Sequence, residues 1–195
     1  MNLKLAAFIS YVFNPLLILV LLPFVLVYEA TGDTQVSIFW TAYTFIFLLL
    51  IAAFVLFGVR RKFFTNIDVS NRQQRPLLFY FLLFIALLYL GGLYLLHAPR
   101  ILFIVTVSMI FGIGIVSGIN TKIKASLHVA TVAALILGLT IGYGGYYLLL
   151  LLLVPLVGWS RVKLKRHTVS ETVVGGIVGS ILLLAIYTVF EAFLK

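Results

Sequence analysis

Residues 160–171, SRVKLKRHTVSE, gather four basic residues, one histidine and one carboxylate between two almost uncharged stretches. Within this run His167 and Glu171 stand four residues apart. On a helix that spacing places both on one face, a turn apart and within hydrogen-bond reach. A carboxylate on one imidazole nitrogen fixes the tautomer and leaves the other nitrogen as base or nucleophile. Upstream, His128 follows Ser126 by two, just past Lys122 and Lys124. A third polar segment, residues 60–76, carries Asp68, Arg72 and Arg75. Guanidinium groups grip phosphate through parallel N–H donors. Two histidines, a carboxylate and three arginines (Arg72, Arg75 and Arg161) point to phosphoryl transfer.

A plainer account stands beside this one. Basic residues at the ends of apolar helices mark membrane topology, and Arg60, Arg61, Lys62, Lys163, Lys165 and Arg166 read that way. An acid in a first helical turn is favoured by the helix dipole alone, so the His167–Glu171 pair also has a structural reading. His97, close to Arg100, reads as an interfacial residue without a chemical role.

The elements that must position these groups follow from composition. The 195 residues are 64% hydrophobic and 10% charged, against roughly 25% charged in a soluble domain. So few charges cannot cover a globule, and the surface suits a bilayer. The net charge of +9 then reads as loop topology and not as a nucleic-acid footprint. With no cysteine in the chain, thiolate chemistry and disulfides are excluded. The N-terminal apolar run outlasts the h-region of a signal peptide, about 7–15 residues, and reads as a span.

Hydropathy places spans at residues 5–28, with kinks available at Asn14-Pro15 and Pro23, and at 36–59, 77–96 and 101–119. Residues 127–159 are 33 mostly apolar positions. As one helix they would run about 50 Å, against a hydrocarbon core of about 30 Å. Gly142, Gly144 and Gly145 mark a break there, which predicts two short spans, 127–141 and 146–159. A last span covers 172–190. The chain therefore reads as all-α: a polytopic membrane helix bundle of six or seven helices forming a single membrane-embedded domain, 1–195. Tyr28, Trp40, Tyr94 and the tyrosines at 143–147 read as an aromatic belt. Gly138–Gly142 and Gly175–Gly179 have small-xxx-small spacing. Packing within the chain is their expected use, with homodimerisation as the alternative.

Seven spans put the connections holding residues 60–76, 120–126 and 160–171 on one face. Twelve of the fourteen basic residues fall there, leaving Arg100 and Lys195 opposite. Setting aside Arg72, Arg75 and Arg161 as site residues leaves nine against two. By the positive-inside rule this predicts an inner-membrane protein with its N-terminus and polar face cytoplasmic.

The spacing Ser160-Arg161, five residues, His167, three residues, Glu171 resembles the third signature of the type-2 phosphatidic acid phosphatase superfamily, SR-x5-H-x3-D. Lys124-Ala125-Ser126-Leu127-His128 resembles its second, PSGH, and Arg75-Pro76 the end of its first, K-x6-RP. The three occur in the family's order and cover under a sixth of the chain. The resemblance implies a helical membrane phosphatase acting on a lipid phosphate or polyprenyl diphosphate, with no metal or cofactor. It implies His167 as nucleophile forming a phosphohistidine, Glu171 as the group that holds it, and His128 as the acid to the leaving group. Arg75, Arg161, Ser126 and Arg72 would bind the phosphoryl oxygens. The departures are Asp68 at the family's lysine position, Ala125 for proline, Leu127 for glycine and Glu171 for aspartate. Arg72 is the expected substitute charge, with Lys122 or Lys124 as alternatives; the other reading has Asp68 orient an arginine instead. The rival expectation is a non-catalytic phospholipid-binding or transport component with a degenerate phosphate site. In either reading the partners are the lipid bilayer and a lipid phosphate, with no nucleic acid.

Overall fold

The computed structural model describes residues 2–194; Lys195 lies outside the described residues. Eight α-helices and two 3-10 segments form, with no strand among the described residues. The helices are α1 (Leu3–Val12), α2 (Pro15–Thr31), α3 (Thr34–Arg60), α4 (Arg75–Leu95), α5 (Arg100–Asn120), α6 (Leu127–Tyr143), α7 (Leu153–Lys163) and α8 (Val169–Leu194). Among the described residues, six helical stretches are long and apolar enough to cross a membrane, and α6 is a shorter apolar helix. The chain is an all-α membrane protein.

Two compact units form, one from residues 16–118 and the other from residues 1–15 with 119–195. The N-terminal run does more than kink. Its first helix ends at Val12, with Phe13 as C-cap, and a second starts at Pro15. A residue before proline is pushed out of the helical region, and proline is at home in a first helical turn. Pro23, by contrast, is carried inside α2, where its missing N–H leaves one turn of the ladder open.

In the unit of residues 16–118, Asp33 caps α3, its Oδ1 accepting from the backbone N–H of Gln35 at 2.7 Å and of Val36 at 3.1 Å. Val27, Trp40, Tyr89, Leu93 and Leu102 form its main core. Trp40 is only 4% exposed, so it belongs to this core and not to an aromatic belt. Tyr28, Tyr94, Tyr143 and Tyr146 are exposed, as belt residues are. A second cluster, Phe64, Val69 and Leu78, folds the segment after α3 back onto its last turn. Gly58 makes this fit, because a Cβ there would run into the Phe64 ring.

The other unit contains α1, α6, α7 and α8, with α1 packed on α7 and α6 on α8. The break in residues 127–159 is present. Gly144 adopts φ +122, a backbone state that L side chains rarely reach, and α6 stops at Tyr143. A 3-10 segment, Gly145–Leu152, then precedes α7, where the composition had suggested regular helix from residue 146. The Gly175–Gly179 stripe is used within the chain. A Cβ on Gly175 would stand 2.5 Å from the Ser126 carbonyl oxygen, and one on Gly179 would collide with the Ala130 carbonyl. Gly138 makes only ordinary contact with Leu183, and Gly142 faces open space.

Candidate functional site

The site begins with how α7 ends. Lys165 adopts φ +55 just past the helix. Its N–H bonds the Val162 carbonyl at 2.9 Å, and the Arg166 N–H bonds the Arg161 carbonyl at 3.0 Å. This bond pair is a Schellman cap built without glycine. The His167 N–H also reaches the Arg161 carbonyl, at 3.3 Å. The five residues between Arg161 and His167 are thus one helix cap, which turns the chain so that His167 comes back beside the end of α7.

Helix α8 starts with a second local motif. Thr168 Oγ1 accepts from the Glu171 N–H at 3.3 Å, and Glu171 Oε2 accepts from the Thr168 N–H at 3.1 Å. This is a reciprocal capping box of the T-x-x-E type. The same carboxylate oxygen lies 2.9 Å from His167 Nδ1. The i,i+4 contact expected from spacing therefore forms, although α8 begins at Val169, two residues past the histidine. His167 is buried, its side chain 3% exposed. The glutamate side chain bends back to serve Thr168 and His167 with one oxygen.

The second polar segment joins this corner. Lys124 Nζ donates to the Arg166 carbonyl at 2.8 Å and stands 3.5 Å from Glu171 Oε2. The Ser126 N–H bonds the Glu171 carbonyl at 3.1 Å, which pins the start of α6 to the start of α8. Ser126 occupies the N-cap position of α6, yet its hydroxyl makes no capping bond. That hydroxyl and the Ser160 hydroxyl are fully buried and meet no hydrogen-bond partner. Buried orphan hydroxyls are uncommon, and Ser126 stands where the first N–H groups of a helix favour an anion. His128 follows on the first turn of α6, also buried.

Arg161 is 2% exposed, and its Nη1 donates to Ser10 Oγ of α1 at 2.5 Å. Spacing gave no hint of Ser10, although a hydroxyl inside an apolar span is a sign worth following. Thr168 was likewise missed. The T-x-x-E pattern ahead of an apolar run was its signal. Ser10→Ala should destabilise the protein by about 1.5–3 kcal/mol, the worth of a hydrogen bond to a charged group. Thermal unfolding in detergent measures this, and an unchanged melting temperature would show the bond to be dispensable.

Ser126, His128, Arg161, His167, Glu171 and Lys124 thus all belong to one unit. Lys122 belongs to it too but is exposed. Asp68, Arg72 and Arg75 belong to the other unit. There Arg75 is buried and its Nε donates to the Val69 carbonyl at 3.2 Å. Val69 takes φ +43 to present that carbonyl, a strained state for a β-branched residue. Arg72, in the 3-10 turn Arg72–Gln74, is exposed where Arg75 is not. Three residues along, the two arginines occupy different surroundings. His97 adopts φ +53 at the end of α4, and the Ala98 N–H bonds the Leu93 carbonyl at 2.9 Å. It is a helix-ending residue, in keeping with its lack of an assigned role.

Comparison with protein-family models, with curated proteins and with solved structures finds no match for this chain.

Proposed function

We propose that this chain is a membrane lipid phosphatase that cleaves a lipid phosphate or polyprenyl diphosphate through a phosphohistidine, as a divergent relative of the type-2 phosphatidic acid phosphatases. The observation that carries this reading is the 2.9 Å contact between His167 Nδ1 and Glu171. A carboxylate on Nδ1 keeps the proton there and directs nucleophilic chemistry to Nε2. Support comes from the buried Arg161, the uncapped Ser126 hydroxyl and the buried His128 in the same unit.

In this reading His167 Nε2 attacks phosphorus and the bond to the leaving oxygen breaks. His128 gives that oxygen a proton. A water then attacks the phosphohistidine, losing its proton to His128, and phosphate departs with His167 restored. Arg161 and Ser126 hold the phosphoryl oxygens, and their donors count most where charge builds in the transition state. Purified protein should release phosphate from at least one of phosphatidate, phosphatidylglycerol phosphate, a polyprenyl diphosphate or a lipid A phosphate. Saturable binding of these lipids without release would favour a binding or transport component instead. The capping box is what favours that second reading, because it gives Glu171 a purely structural occupation.

The nine-to-two bias of basic residues supports a cytoplasmic position for the polar connections, in a protein of the inner membrane. The substrate is then met in the inner leaflet, which suits lipid synthesis better than recycling of carriers released outside. A single cysteine at Asn66 should resist an impermeant maleimide in intact cells, while one at Thr34 should react. The reverse labelling pattern overturns both the orientation and the leaflet.

A further inference from the structure

We infer that Lys124 is a positioning residue for His167, holding the imidazole through the Glu171 carboxylate and the backbone just ahead of the ring. The inference rests on the catalytic reading of His167, and its geometry lies within a single unit. The Lys124 ammonium makes two contacts. One is a 2.8 Å hydrogen bond to the Arg166 carbonyl, one residue before His167; the other is a 3.5 Å ion pair with Glu171 Oε2. That oxygen also meets His167 Nδ1 at 2.9 Å and the Thr168 N–H at 3.1 Å.

One carboxylate oxygen therefore faces three donors, and the lysine grips both the carboxylate and the loop that carries the histidine. The Lys124 side chain is 14% exposed and that of Glu171 17%. The pair is thus shielded from the solvent screening that makes surface ion pairs weak. The lysine is also held from behind. Two residues on, the Ser126 N–H bonds the Glu171 carbonyl, so the segment before α6 is fixed to α8 by backbone as well as by side chain. Without Lys124, the Arg166 carbonyl loses a charged donor and the carboxylate loses its cation. The carboxylate keeps Thr168 and His167, so the dyad survives but with wider freedom for both side chains. A nucleophile misplaced by about 1 Å can lose on the order of 10²-fold in rate.

This assigns Lys124 a task other than contact with substrate, and the two tasks separate kinetically. A lysine touching a phosphate in ground and transition states alike raises KM when removed, whereas a positioning residue lowers kcat. Lys124→Met should lower kcat about 10-fold or more with KM within about twofold. Lys124→Arg should restore most of the loss, since a guanidinium can span the same carbonyl and carboxylate. Lys163→Met, at an exposed site, should change neither constant.

The readout that needs no turnover is the ¹⁵N spectrum of the three histidines in protein reconstituted into lipid nanodiscs, assigned with single His→Gln variants. Wild-type His167 should carry its proton at Nδ1. Lys124→Met should shift and broaden that Nδ1 signal as the pair gains freedom, and Lys124→Arg should return it. An unchanged His167 signal in Lys124→Met, or a loss confined to KM, overturns the inference. An inactive wild type whose His167 signal still responds to Lys124→Met would sink the phosphatase reading while leaving the positioning intact.

Discussion

His167→Ala is expected to lose at least about 10³-fold in phosphate release, because the variant has no nucleophile to carry the phosphoryl group. Wild-type protein quenched during turnover should hold acid-labile phosphate, and the variant should hold none. The size of the loss discriminates between roles. Ser160 and Arg161 are held by α7 and Ser126 and His128 by the start of α6. The capping box likewise closes through Thr168 and Glu171 without the ring. The fold should survive, so the loss reads as chemistry. Retention of near-normal activity in His167→Ala would falsify the covalent mechanism. A loss of only about tenfold would point to a binding role for the ring.

Gly179→Ala is the second large effect, and it concerns the fold. On helix propensity alone, alanine in place of a mid-helix glycine gains about 1 kcal/mol. Here the new methyl would strike the Ala130 carbonyl of α6, a Cβ against backbone. Neither atom belongs to a flexible side chain, so α8 as a whole must move away. Overpacking of this kind costs about 1–3 kcal/mol and sometimes more. The clash should win, giving a net loss of stability of up to about 2 kcal/mol in detergent unfolding. Gly142→Ala, with open space around it, should be neutral or slightly stabilising. A stabilised Gly179→Ala would mean that α6 and α8 pack less closely than described. Activity should fall in parallel, since the same interface carries the bond from Ser126 to Glu171.

The spans were legible because hydropathy is a sum over many residues and survives local irregularity. The split of residues 127–159 was legible because a length limit and a glycine cluster agreed. The break at Asn14-Pro15 was visible only as an available kink. Proline says where a ladder can fail, not whether the chain then continues on the same axis. Trp40 looked like a belt residue because position along a helix says nothing about which way a side chain faces. The i,i+4 dyad was legible from periodicity. Ser10 was not, because its partner Arg161 is 151 residues away, and no local pattern encodes that pairing. Lys124 was legible as a nearby charge but not as a partner of Glu171. The choice between phosphate and carboxylate depends on a few ångströms of side-chain reach.

The division of the chain into a continuous unit, residues 16–118, and one assembled from both ends has a consequence for synthesis. Translation proceeds at about 5–20 residues per second from the N-terminus. Helices α2 to α5 can therefore find one another as they emerge. Helix α1 is made first, but its partner α7 follows about 150 residues later, or roughly 8–30 s at those rates. Throughout that interval Ser10 lacks Arg161, and the growing polypeptide must keep α1 available while residues 16–118 form a unit of their own. Closing so long a loop adds little entropy beyond a shorter one, so the penalty is one of time and exposure. Ribosome-bound chains arrested before α7 should leave α1 open to cross-linking by other membrane components, and release of full-length chain should end that exposure in a single late step.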